Sequence, residues 1–223
     1  MSNLSGSYDE YDSKQLLASY GVPVGEGIVC TDVSEIAGLE EKMPFPWGMK
    51  ILSKDIIHKS EAGGVHLNIK SRTEAIRSFD EIIASAKAYA PDADIRGVLI
   101  SKMISTGFEL IMGVNKDPQF GHVILFGLGG IYVEMFKMVS MRLAPLTRYD
   151  AEQMIDELPL TKIFKGMRGK FYDKGEVINV LLALSKLVEE HPEIEEIDIN
   201  PFFIFPVSGC AVDAVVTASQ KYI

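Results

Sequence analysis

Residues 95–127 pass through three strand-like runs in close succession, at 95–104, 108–114 and 122–126. Asn115-Lys116-Asp117-Pro118 is a turn signal, so the last two runs join as a β-hairpin. This hairpin lies in the middle of a chain whose other segments alternate helix and strand, and it sets the class as α+β. Upstream, Asp12 with Gln15 resembles a capping box, and Leu16, Leu17 and Tyr20 give the helix an apolar face that Gly21 and Pro23 end. Residues 1–11 read as a loose arm. Ile28-Val29-Cys30 is a short strand. Asp32 and Glu35 repeat the capping pattern before Ile36, Leu39 and Met43 at helical spacing, and 47–52 and 65–70 are strands. Ser71 with Glu74 opens a longer helix, striped by Ala75, Ile76, Phe79, Ile82, Ile83, Ala86 and Tyr89 and closed by Pro91. Downstream, 149–158 and 175–190 read as helices. Strand 194–205, a turn at Pro206-Val207-Ser208-Gly209 and strand 210–217 finish the chain. The expected architecture is two α/β lobes with a cleft between them, a common place for a ligand.

The chain has 223 residues, 47% hydrophobic and 24% charged, enough for a sizeable core. Its net charge of −9 excludes a general nucleic-acid binder, which needs a basic stripe. Cys30 and Cys210 lack metal-site spacing and read as two reduced thiols. The N-terminus, MSNLSGSYDEYD, has neither the basic start nor the apolar core of a signal peptide, and no apolar run approaches a membrane span. A cytoplasmic protein, with no membrane and no nucleic-acid partner, is expected.

Lys50 lies inside an apolar strand, so its ammonium either snorkels to the surface or points into a cleft; taken alone, the surface reading is favoured. His58 follows eight residues on, and Gly63-Gly64 thirteen on. A strand lysine followed by a glycine loop is one way to hold nucleotide phosphates with an ammonium and backbone N–H groups. Neither a Walker A motif nor GxGxxG is present. Gly127-Leu128-Gly129-Gly130 is a second glycine cluster. In EIDINPFFIF, Asp198 and Asn200 are two apart and share a strand face. If the turn pairs Phe205 with Cys210, then Phe202 faces Asp213, and Asn200 and Asp213 become diagonal neighbours. Such a set of hard oxygen donors suits Mg²⁺ with nucleotide phosphates, and a one-residue slip would turn Asp213 away. The competing reading is a polar edge on a half-exposed sheet. Glu109, flanked by apolar residues, is either an exposed strand position or a cleft carboxylate. His66, His122 and His191 read as structural, and Arg142 and Arg168 as surface residues or phosphate ligands.

Lys50, IIHKSEAGGV, GFELIMGVNKDPQFGHVILFGLGGIYVE and EIDINP followed by Asp213 occur in this order. Together they resemble the ATP-grasp β subunit of ADP-forming acyl-CoA synthetases (acetate–CoA ligase, ADP-forming), from about Ser13 to Ala218. The resemblance implies an ATP-grasp fold with the nucleotide in the cleft between the lobes. The parts would be an N-terminal arm and helix (1–20) packing on the larger lobe, a small lobe (21–102) and the larger lobe (103–223). It implies conversion of acyl-CoA, ADP and phosphate to acid, CoA and ATP through phosphohistidine intermediates. The partner would be a CoA-binding α subunit in an α2β2 heterotetramer, without which the chain is inactive.

By the same resemblance, Lys50 binds nucleotide phosphate. Ser60, Gly63, Gly64 and Val65 belong to a flexible lid, and Ser101, Met103 and Ile104 to the hinge beside the base. Glu109 meets the ribose or the incoming histidine loop, Asn200 and Asp213 hold Mg²⁺, and Asp198 orients the transferring histidine. His58 is a second phosphoryl carrier. The substrate nucleotide would be ADP/ATP, with GDP/GTP open. Two departures stand out: Ser101 where an acidic or amide residue is usual, and Met138 where aspartate is frequent. The alternatives are a non-catalytic ATP-grasp module that senses nucleotide or acts as a scaffold, and a succinyl-CoA synthetase-like β subunit.

Overall fold

A computed structural model describes residues 4, 6–104, 107–130, 138–164, 166 and 171–219. In chain order the elements begin with β1 (Gly6–Ser7), α1 (Glu10–Ser19), β2 (Gly27–Cys30), a 3-10 turn at Val33–Ile36, α2 (Leu39–Lys42), β3 (Trp47–Ser53), β4 (Val65–Ile69), α3 (Arg72–Tyr89) and β5 (Ile95–Lys102). They continue with β6 (Phe108–Asp117), β7 (Gly121–Leu128), β8 (Val139–Leu143), α4 (Arg148–Asp156), α5 (Thr161–Phe164), α6 (Lys174–Glu190), β9 (Ile194–Ile204), β10 (Gly209–Ala211) and β11 (Ala214–Ala218). They form two compact units, Gly25–Ser105 and the remainder, Met1–Val24 with Thr106–Ile223. The α+β mixture follows the sequence pattern.

The inserted unit is an antiparallel sheet in the order β2-β5-β3-β4, with α3 packed on one face. Alternation along β3 sends Trp47, Met49 and Ile51 into the core with Val98, Ile100 and Ile82. Trp47 is fully buried; its indole N–H donates to Met43 O at 2.7 Å, and its ring lies 4.1 Å from that of Phe45. Ser71 caps α3 by accepting from the Glu74 N–H. The helical spacing read over residues 36–43 resolves into two short pieces, because Gly38, at φ 83°, breaks the run.

The other unit is built on the strand path β1-β11-β9-β6-β7-β8, with β10 also on β9. Leu110, Met112, Val114, Phe126, Ile197, Ile199 and Phe202 pack from the sheet against Leu181, Leu184 and Leu187 of α6 and Met154 of α4. Strand β8 was not anticipated. The arm is not loose over its described residues. Gly6 and Ser7 pair with Ala218 and Thr217, the Tyr8 N–H donates to Val216 O (3.0 Å), and the Leu4 N–H donates to Glu193 Oε1 (2.9 Å). The cap of α1 is Asp9, whose carboxylate accepts from the Asp12 N–H; Asp12 lies in the first turn.

The C-terminal hairpin also differs from expectation. The Phe205 N–H donates to Ser208 O at 2.8 Å, so only Pro206 and Val207 form the loop. That loop is two residues shorter than the one read from sequence. The pairs become Phe203 with Cys210 and Phe202 with Ala211, in place of Phe205 with Cys210 and Phe202 with Asp213. The pairing changes by two residues, so the parity of every side chain survives.

Helix α1 carries a buried ion pair, Lys14 Nζ to Glu10 Oε1 at 2.8 Å, with side chains 5% and 1% exposed. Ser13 Oγ accepts from the Val216 N–H beside it (3.0 Å). Removing one partner from a buried pair costs about 3–5 kcal/mol, whereas replacing both with apolar groups is often near neutral. Lys14→Met should therefore lower the denaturant-unfolding free energy by that amount, and Glu10→Leu/Lys14→Met should recover most of it.

Candidate functional site

Two groups of candidate residues exist, one in each unit. In the larger unit the centre is β9. Ile197, Ile199, Phe202 and Ile204 face the core, while Asp198 and Asn200 face out and are exposed. β9 carries one extra residue against β6. Met112 pairs with Ile199 and Leu110 with Phe202, so Asn200 and Pro201 together oppose Ile111. On the other side Ala214 pairs with Ile199 and Ala211 with Phe202, which sets Asp213 directly across from Asn200. The Asn200 N–H donates to Asp213 O (3.2 Å) and the Val212 N–H to Pro201 O (3.0 Å). The two are thus direct neighbours, closer than the diagonal arrangement read from the sequence.

Asp213 Oδ1 is shielded from solvent. The carboxyl of Asp198 is pushed above its ordinary range by desolvation first, then by the carboxylates of Glu196 and Asp213. Glu109 lies on the same outward face: it pairs with Phe203, and two positions further along the face, Gly113 pairs with Asp198. It is exposed. Among the described residues there is no group of three or more His, Cys, Asp or Glu arranged to hold a metal. An amide oxygen and a carboxylate set opposite each other fit an ion that takes one or two protein ligands and completes its shell with phosphate and water. Mg²⁺ behaves in this way.

In the inserted unit, Lys50 is on the face of β3 opposite the core stripe, half-buried, and pairs with Val65. Gly64 makes that pairing possible. Its carbonyl accepts from the Ile51 N–H (2.7 Å), and a Cβ there would lie 2.5 Å from Ile51 Cγ2. The loop before it is a tight turn, with the Ala62, Gly63 and Gly64 N–H groups donating to His58, Ser60 and Lys59 carbonyls. Ile56 and Ala62 anchor it in the core, leaving Ile57 and His58 exposed between them. On the same face as Lys50, Gly27, Ser101 and Gly48 form a row across three strands. A Cβ on Gly48 would lie 3.3 Å from both Leu67 Cδ2 and Met103 Sδ. The row itself carries only small residues, but neighbouring side chains border it: a Cβ on Gly27 would lie 2.8 Å from Leu99 Cδ1. Met103 is fixed by its N–H to Pro46 O (2.9 Å), and Ile104 follows it, half-exposed.

The remaining candidates have structural surroundings. His122 Nε2 is 2.7 Å from Ile194 O, His191 Nδ1 is 3.2 Å from Glu193 Oε1, and His66 Nδ1 is 3.8 Å from Glu81 Oε2. Arg142 is paired with Glu157, whose other oxygen accepts from Ser140 Oγ. Arg168 lies outside the described residues. Both cysteines are buried and free, and burial pushes Cys30 up to about 11 and also raises Cys210. Met138 packs against the larger core, which an aspartate in its place would not do. No helix among the described residues is long and apolar enough to cross a membrane. The glycine cluster at 127–130 is the feature whose role spacing did not reveal: the Gly129 N–H donates to Glu109 O at 2.9 Å.

The ATP-grasp domain family model matches residues 2–218. The chain is 45% identical over 206 residues to the β subunit of acetate–CoA ligase [ADP-forming] I of Pyrococcus furiosus, covering 92% of this chain and 89% of that one. It is 40% identical to acetate–CoA ligase [ADP-forming] I of Archaeoglobus fulgidus, of which it spans 29%. Among solved structures it resembles the acetyl-coenzyme A synthetase 1 of Ca. Korarchaeum cryptofilum in complex with coenzyme A and Ca-AMPCP. The TM-score is 0.89 and the identity 37%, covering 96% of this chain and 93% of that one. Another structure of that protein, with Mg-AMPPCP and its phosphohistidine segment pointing towards the nucleotide site, gives a TM-score of 0.80 at 34% identity, with the same coverage. The chain belongs to the ATP-grasp family, in the branch of the ADP-forming acetate–CoA ligase β subunits.

Proposed function

We propose that this chain is the nucleotide-binding β subunit of an ADP-forming acyl-CoA synthetase. With a CoA-binding α subunit, as an α2β2 heterotetramer, it converts acyl-CoA, ADP and phosphate to acid, CoA and ATP through phosphohistidine intermediates. The observation that carries this reading is the juxtaposition of Asn200 and Asp213, with Asp198 two residues along and Glu109 on the same sheet face. The relatives of matching length support it, since they are named as β subunits.

Phosphoryl transfer asks the protein mainly for positioning and charge neutralisation. Lys50 holds the nucleotide phosphates, and the loop residues Ser60, Gly63, Gly64 and Val65 form the lid over them. The backbone at Ser101, Met103 and Ile104 borders the base. Asn200 and Asp213 hold Mg²⁺, which when bound neutralises phosphate charge. Asp198 accepts a hydrogen bond from the imidazole that delivers the phosphoryl group. Glu109 accepts one from that imidazole or from a ribose hydroxyl. His58, exposed on an anchored loop, takes the phosphoryl group on a ring nitrogen as the incoming P–N bond breaks. It releases the group to the terminal oxygen of ADP.

The deciding experiment combines the chain with its α subunit, acyl-CoA, ADP, Mg²⁺ and labelled phosphate. ATP and acid-labile phosphoprotein should form with both subunits and with neither alone. Absence of ATP with a competent α subunit would refute the reading.

His58→Ala should abolish turnover and acid-labile label on this chain while ADP binding, measured by calorimetry, persists. Label and turnover at wild-type levels would remove the carrier role.

Asp198 yields a pH-dependent stability effect. Its folded-state proton affinity is raised, so its stabilising contribution is complete below the ordinary pKa of 3.8 and is lost as pH rises through the folded value. Asp198→Asn should therefore raise the melting temperature at neutral pH, lose that gain near pH 3, and lower ATP formation.

A further inference from the structure

On the outward face of the larger sheet, Glu109 sits among glycines. Gly107 precedes it by two residues and Gly129 lies across from it. Gly127 is diagonal to it, opposite Ile111, and Gly130 follows. Among the described residues, its full-sized neighbours on that face include Ile111, Phe203 and, against Gly107, Phe205. A strand side chain ordinarily stands off the sheet. Glu109 instead leans over the chain end of β7. A Cβ on Gly130 would lie 2.8 Å from Glu109 Oε2, and one on Gly129 would lie 3.0–3.1 Å from Glu109 C, O and Cβ. Gly130 has φ +65°, a left-handed conformation that carries this backbone under the carboxylate. Any side chain at 130 would occupy the space the carboxylate fills.

We propose that Gly129 and Gly130 are positioning residues for Glu109. Their bare backbone lets the carboxylate lie low against the sheet end and leaves the space above it for the group it binds. The Gly129 N–H to Glu109 O bond fixes the main chain of β6 at the same point. The inference rests on the reading that Glu109 takes part in the reaction.

The test uses the assembled α–β enzyme and compares Glu109→Gln, Gly130→Ala, Gly129→Ala and Gly130→Ala/Glu109→Gln. Gly121→Ala is the strain control: its φ is +78°, and nothing lies within 4 Å of a Cβ there. Displacing a catalytic group by about 1 Å can cost about 100-fold. Gly130→Ala should approach that loss, and it should move whichever of kcat or KM for ADP Glu109→Gln moves. The double variant should be no slower than Glu109→Gln alone. Gly121→Ala should lower the melting temperature by as much as Gly130→Ala but leave both constants near wild type. Multiplicative losses in the double variant, or wild-type kinetics for Gly130→Ala beside an impaired Glu109→Gln, would overturn the positioning role. Wild-type kinetics for Glu109→Gln itself would instead remove Glu109 from the reaction. If Gly130→Ala fails to fold, Gly129→Ala carries the same comparison without a left-handed backbone.

Discussion

The pairing of Phe108–Asp117 with Ile194–Ile204 is the interaction on which the larger unit and its candidate site depend. β9 is bonded on both sides, to β6 on one and to β10 and β11 on the other. From Ile197 to Ile204 its apolar residues would follow strict alternation but for one extra residue at Asn200-Pro201. That residue keeps Ile199 and Phe202 both in the core, three positions apart. Without it, one of the two would turn outward and the polar positions would turn in. Opposite the irregularity, Val212 and Asp213 separate β10 from β11, so the hairpin matches it and Asn200 meets Asp213. A core requirement and a donor pair are met by the same local departure from regular β structure.

The electrostatic character of that face limits what can approach it. Desolvation first, and then the carboxylates of Glu196 and Asp213, disfavour the charge on Asp198. A phosphate would be repelled too, unless a cation or an imidazolium accompanies it. The inserted unit has the opposite bias at its candidate positions, with Lys50 on the strand and His58 exposed on the loop. The overall charge of −9 conceals this difference, because function depends on local groups and not on the sum.

Much of this was legible in the sequence wherever periodicity decides. The stripe of α3, the strand over 47–52 and the Asp198–Asn200 pair all followed from spacing. The direct opposition of Asn200 and Asp213 was not legible, because register is set by the closing loop. Pro206-Val207-Ser208-Gly209 allowed more than one closure, and the parity argument survived because the change was two residues. β1 has no apolar pattern to read, since Gly6-Ser7 is ordered by the strand it joins. The role of the second glycine cluster was hidden for another reason: spacing shows that a backbone is bare but not which side chain lies on it.

The pairing of Gly6 and Ser7 with Ala218 and Thr217 bears on how this molecule keeps its own company. β11 is rich in small and branched apolar residues and, apart from that two-residue strand, the Tyr8 bond and the Ser13 hydroxyl that accepts from the Val216 N–H, would present its outer edge as a template for another chain. Gly6, Ser7 and Tyr8 occupy that edge and so oppose strand addition. Their short, polar composition lets them satisfy the edge without offering a new one that is long and apolar. A segment whose sequence looks dispensable thus covers an edge that would otherwise be open to strand addition.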